Sequence, residues 1–133
     1  MTALIQKETS MKIEEFMGIM DVLLGKNGCP WDRAQTHKSL RECMVEECGE
    51  AVEAIDSGDM EALKEELGDV LLQVVFHAKL AEKAGHFTFY DIVEALGKKI
   101  VDRHSHVFGE DKAATADEAM AIWQKNKAKS VGQ

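Results

Sequence analysis

Apolar residues recur three and four positions apart along almost the whole chain, and only one proline, Pro30, interrupts 133 residues. That spacing places one apolar stripe on a helix and is incompatible with the alternation of half-buried strands. A turn-rich all-β fold needs far more proline and paired turn residues than this chain contains. The expected class is therefore all-α. The spacing predicts a first helix from about Met11 to Leu24, with Ser10 as its N-cap and Ile13, Phe16, Met17, Met20 and Leu24 on one face. Gly25 to Gln35 reads as a loop, His37 to Asp56 as the second helix, and Ser57-Gly58-Asp59 as a tight turn in which Asp59 caps a third helix, Met60 to Ala84. Thr88-Phe89-Tyr90-Asp91 opens a fourth helix that runs to Arg103. A loop from His104 to Ala114 follows, then a capping box at Thr115 to Glu118 opening a short fifth helix, with a frayed end around Lys125, Lys127 and Lys129.

Length and composition agree with a single globular domain, residues 1–133 with a core of about 11–127. Hydrophobic residues make up 45% of the chain and charged residues 30%, so the chain can bury a core without disulfides or a structural metal. Its net charge of −8 argues against nucleic acid and anionic membranes as partners, because both are polyanions. The three cysteines, Cys29, Cys43 and Cys48, have no metal-binding or paired spacing, which implies reduced thiols and a cytoplasmic location. No apolar run is long enough to span a membrane.

The acidic charge is concentrated. From Glu42 to Asp69 eleven acidic residues stand against one basic residue, Lys64. A glutamate on a helix ordinarily sits on a solvated face, and helix phase tests that reading. At about 100° per residue, Glu46 falls on the wet face of the second helix with Lys38, Glu42 and Glu53. Its neighbour Glu47 falls among Leu40, Met44, Cys48, Ala51 and Ala54, and Glu50 lies on the boundary. On the third helix Glu61, Lys64 and Glu65 point to water, whereas Glu66 and Asp69 lie on an inward flank with Gln73 and His77. Folding the two helices back on each other at Gly58 sets Glu50 opposite Glu66 and Glu47 opposite Asp69, one turn apart.

Two like charges about 4 Å apart cost about 4 kcal/mol at an effective dielectric constant of about 20, before desolvation. Such a cluster takes up protons or binds a hard cation. An all-oxygen donor set favours Mg²⁺ or Mn²⁺ over zinc, and the absence of Glu-x-x-His disfavours a di-iron centre. On the fourth helix Lys99 and Arg103 lie on or near the apolar side. Two readings fit them: ion pairing with the carboxylates, or contact with phosphates whose other side a metal holds. No Walker-type glycine loop is present. Trp31 reads as a base-stacking residue or a packing anchor. His104 and His106 read as local hydrogen-bonding residues rather than metal ligands.

Taken together, Gly28-Cys29-Pro30-Trp31-Asp32 with Gln35-Thr36, Glu46-Glu47-x-x-Glu50, Glu66-Leu67-Gly68-Asp69, Gln73 through Ala78 and Lys99-x-x-x-Arg103-His104 resemble the MazG-type nucleoside triphosphate pyrophosphohydrolases. So does His106-Val107-Phe108-Gly109, and the resemblance runs from about Glu14 to Lys127. It implies an all-α fold of antiparallel helical hairpins, a four-helix-type bundle completed by oligomerisation as a homodimer or homotetramer. It implies Mg²⁺-dependent hydrolysis of a nucleoside triphosphate, NTP or dNTP, between the α and β phosphates. By the same resemblance Glu47, Glu50, Glu66 and Asp69 are the metal ligands, and Lys99 and Arg103 contact phosphates. Trp123 and Lys127 stand at the family's C-terminal substrate-contacting Trp and Lys. Glu46, or another carboxylate not bound to metal, is the candidate base, with Lys99 and Arg103 as its catalytic partners. Two departures stand out. Ser105 replaces the family's usual proline, which is expected to loosen that loop, and the chain carries one such domain where well-known members carry two. Hydrolysis of a phosphoribosyl or modified nucleotide is the competing enzymatic reading, and a non-catalytic metal-binding helical dimerisation module the competing non-enzymatic one.

Overall fold

The computed structural model describes residues 10–131, all in helices or their connections, with no strand among them. The helices are α1 (Ile13–Leu23), α2 (Pro30–Arg33), α3 (Arg41–Ser57), α4 (Met60–Lys83), α5 (Phe89–Arg103), α6 (Ser105–Phe108) and α7 (Ala116–Val131). They divide into two compact units, one ending at Thr88 and one beginning at Phe89.

In the first unit α3 and α4 form an antiparallel hairpin. Gly58 turns the chain at φ +74°, a left-handed conformation that glycine adopts without strain. Asp59 then caps α4 as expected, its Oδ1 accepting from the backbone N–H groups of Glu61 at 3.1 Å and Ala62 at 3.2 Å. α1 packs on α4. Met17 and Met20 of α1, Leu40 just before α3, Ala51 and Ala54 of α3, and Val75, Phe76, Ala78 and Ala81 of α4 are buried. An ion pair between Lys79 Nζ and Asp21 Oδ1, 2.7 Å long, also joins α1 to α4.

The core departs from the expected apolar face of the hairpin. Helix phase places Ile55 with Ala51 and Ala54 on the apolar face of one helix and Leu67 and Leu71 on that of the other, yet all three are exposed. Burial instead concentrates at residues 73–81 and runs around the circumference of α4, because α1 covers that half of the helix as well as α3.

Several boundaries also move. Ser10 does not cap α1; Lys12 is the N-cap residue, and its backbone N–H donates to Glu15 Oε1 at 3.3 Å. The predicted loop 25–35 contains α2, which starts with Pro30 at its first position, where a missing N–H costs nothing. α3 begins at Arg41 rather than His37. Thr36 and Ser39 exchange side-chain and backbone hydrogen bonds (2.8 and 3.0 Å) and hold residues 37–40 as a turn.

In the second unit α5 and α7 pack together, and α6 contacts both. Thr115 Oγ1 accepts from Glu118 N–H at 3.1 Å, one half of the expected capping box, and donates to Glu118 Oε1 at 3.3 Å. The helix it opens is longer than expected: Lys125, Lys127 and Lys129 lie within α7 rather than in a frayed end. The predicted loop after Arg103 contains α6. Ser105 does not loosen it. Its Oγ donates to Asp111 Oδ2 at 2.6 Å and accepts from Asn126 Nδ2 at 2.8 Å. As the first residue of α6 it occupies a position that suits proline and serine alike.

Candidate active site

The hairpin brings Glu47 and Glu50 of α3 together with Glu66 and Asp69 of α4. One carboxylate oxygen from each lies within 4.8 Å of the other three. The E-x-x-E and E-x-x-D spacings place each pair one turn apart on its helix, and the turn at Gly58 sets the two pairs at the same height. Glu47 and Glu66 are half-buried, as their phase predicts. Asp69, expected on an inward flank, and Glu50, expected on the boundary, are exposed. The cluster therefore has a buried floor and an open rim.

Electrostatics follow from that shape. Burial, then the charges of Glu50 and Asp69, hold the Glu47 carboxyl above its ordinary value. Burial and then Glu50 do the same to Glu66. One oxygen of each floor residue, Glu47 Oε2 and Glu66 Oε2, is buried without a hydrogen-bond partner. A buried acceptor without a donor is costly. Two such atoms within a set of four converging carboxylates fit a hard divalent cation, which demands oxygen ligands and offsets their mutual repulsion. Glu46, one residue from Glu47, is exposed and lines an open cleft with Lys38, Ser39, Arg41, Glu42 and Val45.

Farther along the same flank of α4 stand Gln73 and His77. Gln73 is 7% exposed and its Oε1 has no partner. His77 stacks on His37 with ring centroids 5.0 Å apart and the planes 6° from parallel, and their Nδ1 atoms are 2.7 Å apart. Burial, then His37, lowers the His77 pKa. Helix phase had placed Gln73 and His77 inward, but a partner 40 residues away has no local signature. Trp31 is 61% exposed, with its backbone carbonyl accepting from Gln35 Nε2 at 2.9 Å. It is not a buried packing anchor.

The second unit gathers three of the residues named by resemblance. Trp123 has the Arg103 guanidinium 5.4 Å and Lys127 Nζ 5.0 Å from its ring centroid, both within cation–π range. Arg103 is half-buried and donates through Nη2 to Ser130 Oγ at 3.2 Å. Lys99, one turn earlier, is exposed rather than inward. The apolar face of α5 that was expected to bury it is itself open, with Val93, Leu96 and Ile100 exposed. His104 forms a local hydrogen bond, its Nδ1 2.7 Å from the carbonyl oxygen of Ile100. His106 does not follow suit, for its Nδ1 is buried and unpartnered.

The chain is similar to known proteins. Residues 35–108, which hold all four carboxylates, match the family described as the MazG nucleotide pyrophosphohydrolase domain. The nucleoside triphosphate pyrophosphohydrolase/pyrophosphatase MazG of Thermotoga maritima is 45% identical over 127 residues, which is 96% of this chain and 48% of that protein. The nucleoside triphosphate pyrophosphohydrolase of Escherichia coli K12 is 39% identical over 123 residues, 92% of this chain and 47% of that one. The chain thus spans about half the length of these curated relatives. The crystal structure of a MazG-related protein from Thermotoga maritima superposes with a TM-score of 0.71 at 28% identity, covering 86% of this chain and 98% of that one. With the acidic motifs, the all-helical fold and these similarities in agreement, the chain belongs to the MazG nucleotide pyrophosphohydrolase domain family.

Proposed function

We propose that this chain hydrolyses nucleoside triphosphates between the α and β phosphates, releasing a nucleoside monophosphate and pyrophosphate. The observation that carries this reading is the convergence of Glu47, Glu50, Glu66 and Asp69, with ligand atoms within 4.8 Å of one another and two buried oxygens lacking a partner. These four would hold Mg²⁺, with Mn²⁺ as a substitute. When bound, that ion neutralises phosphate charge and acidifies a water. Glu50 and Asp69 form the exposed rim and would meet the ion on the substrate side, while Glu47 and Glu66 form the floor. Glu46 faces solvent beside the cluster and is the base that takes the proton of the attacking water. Lys99 and Arg103 neutralise the phosphates, Arg103 by bidentate contacts and Lys99 as a point charge. Lys127 adds a third cation. Trp31 and Trp123 offer ring surfaces to the substrate.

The reading takes residues 1–133 as one functional domain of the cytoplasm and includes assembly with a second copy or as a tetramer. Exposed apolar side chains support that assembly: Val52, Ile55, Leu67 and Leu71 in the first unit, and Val93, Leu96 and Ile100 in the second. Monomeric proteins rarely leave contiguous apolar faces open. The net charge of −8 speaks against nucleic acid as a partner. No helix among the described residues is long and apolar enough to cross a membrane.

The test is pyrophosphate release from a panel of NTPs, dNTPs and modified nucleotides, with Mg²⁺, with Mn²⁺ and in chelator. The expected result is metal-dependent release that Glu47→Gln abolishes. Release of orthophosphate instead would overturn the α–β assignment. Metal binding without turnover of any nucleotide would leave a non-catalytic helical module.

A further inference from the structure

Two imidazoles from distant parts of the chain meet where the turn before α3 lies against α4. His37 and His77 hold their Nδ1 atoms 2.7 Å apart, with the ring planes 6° from parallel. A contact that short between neutral rings needs one proton between the two nitrogens. Lone pairs that converge on one proton can converge equally on a metal ion. Two imidazole nitrogens bound to a tetrahedral ion at about 2.0–2.1 Å stand about 3.3 Å apart, so the pair has to open by only about 0.6 Å. His37 can give that much, because its side chain is exposed and it lies in a turn rather than in a helix. His77 is half-buried, and burial, then His37, holds its pKa below the ordinary value. The ring is therefore neutral at neutral pH, as a ligand must be.

A third donor stands one turn earlier on the same flank of α4. Gln73 is 7% exposed, and its Oε1 has no hydrogen-bond partner. A buried amide oxygen without a donor is costly, and coordination removes that cost. Asp69 lies about 12 Å from His77 along the helix axis, so these donors are separate from the carboxylate cluster. Their chemistry differs too. Two imidazole nitrogens and a neutral oxygen suit a borderline divalent ion such as Zn²⁺, Co²⁺ or Ni²⁺, whereas Mg²⁺ demands oxygen ligands and stays with the carboxylates. His104 and His106 do not offer the same arrangement. Their centroids are 5.6 Å apart at a 39° tilt, and His104 Nδ1 is committed to the carbonyl of Ile100. The geometry points to a second metal site, in which His37 Nδ1, His77 Nδ1 and Gln73 Oε1 bind one borderline divalent ion and water completes its shell. The ion takes the place of the shared proton, which moves to the free Nε2 of the ring that carried it, so both rings stay neutral. Bound there, the ion fastens the turn before α3 to α4.

Calorimetry with Zn²⁺ and absorption with Co²⁺ test the site in Glu47→Gln/Glu66→Gln, where the carboxylate cluster is disabled and turnover plays no part. One ion per chain is expected. Adding His37→Gln or His77→Gln should weaken it at least tenfold and Gln73→Met at least threefold, while His106→Gln leaves affinity within twofold. Zn²⁺ should raise the melting temperature at about pH 7.5, and the gain should vanish by about pH 5.5 as the imidazoles become charged. Zn²⁺ affinity that is unchanged in His77→Gln, unchanged in Gln73→Met or lost in His106→Gln overturns the proposal. So do thiolate bands in the Co²⁺ spectrum, which would assign the ion to a cysteine. If the histidine variants fail to fold, imidazole resonances of Glu47→Gln/Glu66→Gln carry the test. Zn²⁺ should shift those of His37 and His77, and shifts of His86, His104 or His106 in their place overturn the site.

Discussion

Glu46 and Glu47 are chemically identical neighbours separated by about 100° of helix phase. One is exposed and lines a solvent cleft; the other contributes a buried, unpartnered oxygen to a four-carboxylate cluster. Glu47→Gln is expected to remove most Mg²⁺ affinity in calorimetry, and Glu46→Gln to leave it within about threefold while lowering turnover. In chelator the sign of the stability change reverses. The carboxyl groups of Glu47 and Glu66 sit above their ordinary value of 4.5, so the folded state holds their protons more tightly than the unfolded chain does. The resulting stability is present at low pH and is lost as pH rises through the elevated values. Glu47→Gln and Glu66→Gln should therefore melt higher than the unmodified protein at neutral pH without metal, and the difference should shrink on acidification. These residues were legible in the sequence because amphipathic phase is a local property. The exposure of Asp69 was not, since it depends on which half of α4 another helix covers.

At the scale of elements, the caps were the most legible feature. Asp59, Thr115 and Gly58 act where local chemistry places them, because each bonds or turns within three residues. Asp59→Ala should cost about 0.5–2 kcal/mol in denaturant unfolding. The start of α1 and the helical turns α2 and α6 were less legible, since short helices and frayed ends carry little periodicity. Gly28 lies where the chain folds back on α1, and a Cβ there would stand 2.1 Å from the carbonyl oxygen of Leu23. Gly28→Ala should destabilise the first unit by about 1–3 kcal/mol, read as a fall in melting temperature.

The His37–His77 contact joins the turn before α3 to α4 and escaped sequence reasoning altogether. Its 2.7 Å approach requires one Nδ1 to donate and the other to accept. Protonating both removes the acceptor and sets two like charges together. Because burial and His37 depress the His77 pKa below 6.5, the unfolded chain binds the proton first as pH falls. Stability present above about 6.5 should drop through the histidine range, and thermal melts of His77→Gln should show a flatter dependence between about pH 7 and pH 5.

For the whole molecule, the class was legible and the assembly was not, because periodicity reports that a face is apolar and not what covers it. Leu67→Glu in the first unit and Leu96→Glu in the second remove apolar surface that is already solvent-exposed, 53% and 52%. A monomer would tolerate both with little change. If a second copy covers either face, the corresponding variant should lower the mass measured by light scattering while keeping its helicity.

The uneven burial of α4 has a further consequence for motion. One continuous helix is wrapped at residues 73–81 and bare over much of its first three turns, where Glu66 and Asp69 reside. Local opening costs least where tertiary cover is thin. Amide hydrogens from 74 to 82 should exchange with deuterium most slowly, and those from 63 to 70 far sooner, so that one rod shows two protection regimes. Divalent cation added during exchange should slow the second group and leave the first unchanged. The half of the helix that carries the acidic cluster would then be ordered by what it binds, with the other half as its fixed anchor.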